Sequence, residues 1–598
     1  MWKTGIVVAL LAGASGAQVT QRVSVGSAGE QADLTSGYWL AIASDGRYVA
    51  FVSFAANLVA GDTNDCADVF VRDRRGGTTE RVSVDSAGIQ GNDGSYGPSI
   101  SADGRYVAFE SFSTNLMPGD TNSSWDVFVH DRQSGITVPV SIGSAGALAN
   151  DSSYGPSISA DGRFVAFSSY ASNLVPGDTN GPNESDVFVR DLQNMVTERV
   201  SVDSAGAQAN GSSYGASISV DVRYVAFQSE ATNLVPGDTN GASDIFVRDR
   251  QSGTTERVSV DSAGIEGNFH SIGASISADG RYVAFSSRAD NLVPGDTNFV
   301  WDIFVHDRLS GTTERVSLDS AGSQVSGNSD SPFLSADGRC VAFTSNAIDL
   351  VAGGDVNAYL ADVYVRDRQL GVTSRESVDS AGMQGNDESR ATAISPDGRY
   401  VAIYSDADNL VQGDTNAARD VFLRDRSGGP DFASVCAPGT NGVIACPCGN
   451  PPGGPGRGCD NSSGTGGAIL TASGGAYLSS DSLVFAASGL KPTALSIVMQ
   501  GNAIVSTGAV HGQGIRCVGG TIIRRLFIET ASSGSITAPD FAAGDPTVSA
   551  RSAEKGDVIQ PGQSRWYLVY YRDPIVLGGC PATSTFNATQ TGRVSWWP

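Results

Sequence analysis

Short runs of alternating apolar and polar residues fill most of the chain. The most regular is Asp-Gly-Arg-Tyr-Val-Ala-Phe, which begins at Asp45, Asp103, Asp161, Asp221, Asp279, Asp337 and Asp397, at intervals of 58 or 60 residues. Copies vary: Val222 stands for the Gly, Cys340 for the Tyr and Ile403 for the last Phe. Each continues into a loop such as 173–180 (Asn-Leu-Val-Pro-Gly-Asp-Thr-Asn), then the alternating run 186–191, then 197–202. β-branched and aromatic residues at period two predict strands. In the third repeat these are strand a over 156–159, b over 164–167, c over 187–189 and d over 199–202. Asp-Gly between a and b signals a hairpin, because its backbone accepts positive φ. Four antiparallel strands repeated seven times predict an all-β fold, a seven-bladed β-propeller. An isolated strand d, 22–25, precedes the first a-b-c set, and none follows the seventh set after Arg424. The N-terminal strand is therefore expected to complete the last blade, which removes an open sheet edge.

These Asp-Gly-Arg-Tyr-Val-Ala-Phe and Asp-Val-Phe-Val-Arg-Asp units resemble TolB-type propeller repeats, relatives of the WD-type repeats, over residues 18–426. The Ser-Pro-Asp-Gly that marks the a–b turn of such repeats stands at Ser395-Pro396-Asp397-Gly398. The resemblance implies the fold and leaves the activity open, since propellers host many.

Outside the repeats, residues 1–17 read as a signal peptide: Lys3, an apolar run over 5–12, and small residues at Ser15 and Ala17, with the mature chain starting at Gln18. No later run is long enough for a transmembrane segment in the mature chain. Residues 427–465 read as a Gly/Pro/Cys-rich linker. Over 466–598, short apolar segments separated by Gly, Pro and Asn predict a small β-sandwich. Six of the eight cysteines lie between Cys436 and Cys580. The single residue between Cys446 and Cys448 is too short a spacer for paired zinc ligands, so disulfides are expected. Cys517 and Cys580 bracket the sandwich strands and are the expected pair. The pattern Cys446-Pro-Cys448-Gly-Asn450, Cys459-Asp-Asn-Ser462 and Tyr570-Tyr-Arg-Asp573 looks like a C-terminal module of large secreted proteins of planctomycete-type bacteria.

Charge narrows the partners. With 63 acidic against 39 basic residues the net charge is −24, and only Lys3, Lys491 and Lys555 are lysines. Nucleic-acid binding needs clustered cations and is excluded. The expected partner is a protein or a glycan, and the expected location is exported: periplasmic, cell-surface or extracellular.

Candidate chemistry is sparse. Of four histidines, His130 and His306 fall where other repeats carry Arg72, Arg190 or Arg248 and read as repeat variants. Gly211-Ser-Ser-Tyr-Gly215 has the spacing of a nucleophile elbow but lies on a strand-to-strand loop. The recurrent Gly-Asp-Thr-Asn loop carries most interest. It sets Asp62, Asn64 and Asp68 in one repeat, and Asp120, Asn122 and Asp126 in the next. Asp238, Asn240 and Asp244, then Asp296, Asn298 and Asp302, repeat the pattern. Such oxygens can wrap Ca²⁺, a hard ion that wants 6–8 of them, or they form an Asx-turn that shapes the b–c loop. The chain thus reads as an exported, non-catalytic binding propeller with Ca²⁺ as its one candidate cofactor. The alternative is a carbohydrate-active hydrolase or lyase using carboxylates at the propeller mouth.

Overall fold

A computed structural model describes residues 19–426 except 182 and 358. From 433 to 596 it describes all but 437, 440–442, 449, 454–456, 474–475, 477–480, 482, 512, 542–543, 561–562, 574 and 576–584. The signal peptide expected at 1–17 lies outside the described residues. Two compact units meet in the chain at Arg426 and Ser427.

The first unit is the propeller: seven four-stranded sheets, each antiparallel. Blade 3 is typical, with strand a at Ser153–Ile158, b at Phe164–Ser169, c at Asp186–Asp191 and d at Val196–Arg199. Strand d thus lies three residues before its expected position. The cause is a serine. Ser201 Oγ accepts the N–H of Val187 at 3.1 Å and donates to Asp186, so a side chain takes over where strand backbone would pair. Ser83, Ser141, Ser259, Ser317 and Ser377 end their strands the same way.

Closure follows the expected offset, with the same displacement. Val19–Arg22 is strand d of blade 7, beside Asp420–Asp425. Val23 N–H bonds Val421 O at 2.7 Å, and Arg424 donates to Thr20 Oγ1 at 3.0 Å. Each strand a packs against strand a of both neighbouring blades, so the a strands line the centre of the ring.

Apolar cores fill the gaps between blades. Val49, Phe51 and Phe70 of blade 1 pack against Tyr400, Ala402, Val421 and Leu423 of blade 7. Within a blade the strand-b and strand-c rings stack, as Phe51 on Phe70 at 5.8 Å. On the face of the a–b and c–d turns, each Asp-Gly-Arg arginine forks onto the last Asp of strand c. Arg47 reaches Asp73 at 2.9 and 2.7 Å. These forks hold Asp131 and Asp307 well below the usual carboxylate range and bring Asp191 down to about 2. Arginines also tie blade to blade: Arg132 to Glu80, Arg250 to Glu198 and Arg308 to Glu256. Between blades 2 and 3, Val138 and Leu192 occupy those two positions.

The second unit is a two-sheet antiparallel sandwich. One sheet joins Ala433–Cys436, Thr591–Ser595, Ser564–Arg572, Leu495–His511 and Gly514–Thr530, with Phe586–Ala588 alongside. The other joins Ile469–Ser473, Val484–Ser488 and Ile536–Ala538. Leu470 and Phe485 of the small sheet bury against Val498, Tyr567 and Val594 of the large one, and against Trp596 just beyond it. The segment read as a linker contributes a strand here, because Ala433 pairs with Arg593. Cys446 is bonded to Cys459, and Cys448 and Cys517 are disulfide-bonded too. Cys580 lies outside the described residues. Motif residues quoted above converge: Asn461 donates to Tyr571 Oη at 3.3 Å, and Ser462 pairs with Asp573 and takes a bond from Lys491 at 2.7 Å. No helix among the described residues is long and apolar enough to cross a membrane.

Candidate functional site

Two features stand on the face that carries the b–c and d–a loops. The first is the set of Gly-Asp-Thr-Asn loops. In each of the four sequence-singled loops the asparagine forms a turn. Its Oδ1 accepts the N–H two residues on, from Cys66, Ser124, Ala242 and Val300 at 3.1, 3.0, 2.8 and 3.4 Å. Its Nδ2 donates to the following aspartate, from Asn64 to Asp68 at 3.2 Å and from Asn122 to Asp126 at 2.8 Å. Asn240 and Asn298 reach Asp244 and Asp302 at 2.9 Å each.

Between the two aspartates of most loops sits a guanidinium from strand d. Arg81 Nη1 lies 3.1 Å from Asp62 and 3.2 Å from Asp68. Arg315 lies 3.0 Å from Asp296 and 3.3 Å from Asp302. Arg257 contacts Asp238, Asp244 and Glu266, at 3.5, 3.2 and 2.7 Å, where the three carboxylates crowd together. Arg199 and Arg22 do the same for Asp178/Asp186 and Asp414/Asp420, and Arg375 approaches Asp362 at 3.5 Å. An internal cation therefore already holds these buried carboxylates.

Blade 2 departs from the pattern. Pro139 stands in register where the others carry that arginine, opposite Phe128 as Arg81 is opposite Phe70. Leu148 stands where blades 3, 6 and 7 place a glutamine on the same acids, such as Gln208 to Asp178 and Asp186 at 2.8 Å each. Asp126 is 1 % exposed and receives Ser141 and Asn122. Burial pushes its carboxyl up to about 6, and burial raises Asp120 as well.

The second feature is the mouth of the ring. The second residue of strand a follows the d–a loop and faces this mouth region. In blades 2, 3 and 4 it is Tyr96, Tyr154 and Tyr214, whereas blades 5, 6 and 7 carry Ile272, Asp330 and Arg390. Blade 1 supplies Tyr38 and Trp39 on a strand one residue longer. Residues flanking the b–c loops join them. Ring centroids run from Tyr404 to Tyr38 (6.0 Å), Trp39 (6.1 Å), Tyr96 (5.9 Å), Trp125 (5.6 Å) and Phe112 (5.5 Å). Phe54 touches Tyr96, and Tyr154 meets Tyr170 at 5.7 Å. Tyr38, Trp39 and Phe54 are 44, 50 and 37 % exposed.

Carboxylates accompany the arc. Glu110, opposite Tyr96 in register, accepts the N–H of Gly155 at 2.7 Å, and burial raises its carboxyl. Glu230 accepts from Tyr214 Oη at 3.2 Å. Arg419 lies over both Tyr38 and Tyr404 and forks onto Asp406. Across the mouth Arg390 pairs with Glu388 and lies 3.7 Å from Asp330. Repeat-based reading missed this arc, because it averages over exactly the positions at which blades differ; aligning the residue after the first serine of each strand a exposes it. His130 and His306 are structural, each bonding a strand-d threonine, Thr137 and Thr313, as Arg72 bonds Thr79.

No family model and no curated protein matches the chain. Among solved structures it is similar to a protein described as TolB from Agrobacterium tumefaciens, at 16% identity, over 58% of this chain and 94% of that one, with a TM-score of 0.32. It is similar to an oligogalacturonate lyase in complex with manganese, at 13% identity, over 69% and 94%, with a TM-score of 0.42. The β-propeller domain of the Trilobed protease from Pyrococcus furiosus gives 13%, 66% and 94%, and 0.41. The neighbours are TolB-like and other propeller proteins, a likeness of fold.

Proposed function

We propose that this chain is an exported, non-catalytic propeller that binds a protein or glycan ligand at the mouth of its ring. One observation carries the reading: a run of rings is gathered at the mouth over blades 1 and 2, with Tyr38, Trp39 and Phe54 exposed and Tyr96, Phe112 and Trp125 half-buried, on a scaffold that otherwise repeats blade after blade. Exposed aromatic groups cost solvation and are retained where they contact something. The leader-like 1–17 segment supports export, and the net charge of −24 argues against nucleic acid. The test compares the mature chain with a Trp39→Ala/Tyr96→Ala/Trp125→Ala variant on a glycan array and a peptide library. Ligands bound by the first and lost by the second support the reading; identical profiles would sink it.

Glu110 favours a second reading, a carbohydrate-active hydrolase or lyase. It is the one carboxylate at its strand-b position, where other blades carry Val52, Ser168, Gln228, Ser286, Thr344 or Tyr404, and its raised proton affinity suits a general acid. Release of reducing ends from neutral or acidic polysaccharides, abolished by Glu110→Gln, would favour it over binding alone.

Calcium narrows, on this reading, to the loop of Asp120, Asn122 and Asp126, where no arginine competes. If the ion binds there, millimolar Ca²⁺ raises the melting temperature by mass action, whereas NaCl at matched ionic strength does not. Pro139→Arg with Leu148→Gln would remove the difference. Equal shifts from the two salts would leave the loop as a turn.

A further inference from the structure

The chemistry of the arc says more than that something binds there. Its exposed apolar surface is made of flat rings. Exposed aliphatic side chains stand one to a loop around the ring: Leu34, Ile89, Ile265 and Met383 on d–a loops, Leu309 and Leu370 on c–d turns. A folded protein partner seats branched aliphatic and aromatic groups in shared pockets. A pyranose ring instead offers a flat C–H face to an aromatic face and hydroxyls around its edge. Groups that serve such an edge stand beside the rings: Glu110, Glu230, and Gln228, which donates to Tyr214 Oη at 2.9 Å.

Charge selects further. Among the described residues, the guanidinium that lies over rings of the arc is that of Arg419, and Asp406 already holds it at 2.7 Å. Glu110 and Glu230 bring negative charge, and burial, then Cys66 and Asp93, raise the phenol of Tyr96. An anionic chain would meet like charge at a site whose cation is committed, whereas a neutral one meets none of that repulsion.

Resting on the reading that the mouth is the ligand site, we infer that the arc takes a neutral polysaccharide, with sugar rings stacked on Trp39, Tyr96 and Trp125, and discriminates against uronate-bearing chains. Affinity electrophoresis of the full chain through gels containing a β-glucan, a mannan, a xylan or polygalacturonate tests it, at low and at 0.5 M NaCl. The expected result is retardation by at least one neutral polymer, weakened about tenfold by Trp39→Ala or Trp125→Ala, as for loss of one stacked ring. Polygalacturonate should bind at least tenfold less tightly, and Glu110→Gln should narrow that gap. Circular dichroism of each variant checks folding, and Phe54→Ala provides a second exposed ring should either tryptophan variant misfold. Polygalacturonate binding as tight as neutral binding, yet lost in Trp39→Ala, would overturn the neutral-glycan inference and leave the mouth reading standing. Retardation unchanged in all three ring variants would overturn the mouth reading itself. Retardation by no polymer would overturn the inference.

Discussion

Arg315 and Arg281 show how differently two arginines can serve one blade region. Arg315 lies between Asp296 and Asp302, with side chains 9, 4 and 1 % exposed. Removing it leaves two buried carboxylates facing each other. Arg315→Met is expected to cost roughly 3–5 kcal/mol in denaturant unfolding at pH 7.5, and less at pH 5, where a proton can replace the guanidinium. Arg281→Met breaks a fork whose arginine stands in solvent and is expected to cost much less. Equal losses would show that burial does not set the difference. The aspartates of this site were legible in the sequence as a repeated motif, but their arginine was not. It lies some thirteen residues downstream in another strand, as Arg81 does from Asp68, and only the c–d register joins them. Pro139 was the available clue, a lone proline where the other repeats read arginine.

A blade repeats its strands faithfully while its loops and junctions diverge, and blade 2 lacks the strand-d arginine of the others. Burial makes Asp126 hold its proton to about pH 6 in the folded blade, as it does Asp362 of blade 6, against its ordinary 3.8 when unfolded. Between those values the folded state binds more protons, so stability falls as pH rises from about 4 to 6 and then levels off. The size of that fall is roughly 3 kcal/mol. Pro139→Arg with Leu148→Gln should recover part of it, with a clear gain in unfolding midpoint at pH 7.5 that shrinks at pH 4.5. A gain independent of pH would point to the restored strand N–H instead. The opposite sign holds for Asp131, Asp191 and Asp307, whose depressed carboxyls support the fold above about pH 4 and lose that support as pH falls further. Strand existence and order were legible from period-two runs. Strand d was placed three residues late because Arg-Val-Ser-Val looks as strand-like as Thr-Glu-Arg; Ser201, by bonding Val187 directly, decides where pairing stops. The mouth stayed hidden for a related cause: sequence repetition draws attention to shared residues, and ligand recognition lies in those that are not shared.

For the whole molecule the decisive contact joins its first described strand to its last blade. Deleting residues 18–29 removes Arg22 from Asp414 and Asp420, and Ser24 from Asp420, and bares Val421 and Leu423. Light scattering and thermal melts should show aggregation or a sharply lowered midpoint; an unaltered melt would mean that blade 7 stands without its fourth strand. This closure was legible by counting strands, since seven d strands and seven a-b-c sets were offset by one. The geometry of the seam has a mechanical corollary. Thr20 lies across from Arg424 and Ser24 across from Asp420, so the two strands run in opposite directions and both ends of the ring's chain leave from the same end of the seam. Tension applied through residues 19 and 426 would load its rungs one after another, as a zip is opened, and never all together in shear. A ring closed by its own first strand is in this sense soft to a pull, and under force the blades should come undone from the seventh inward.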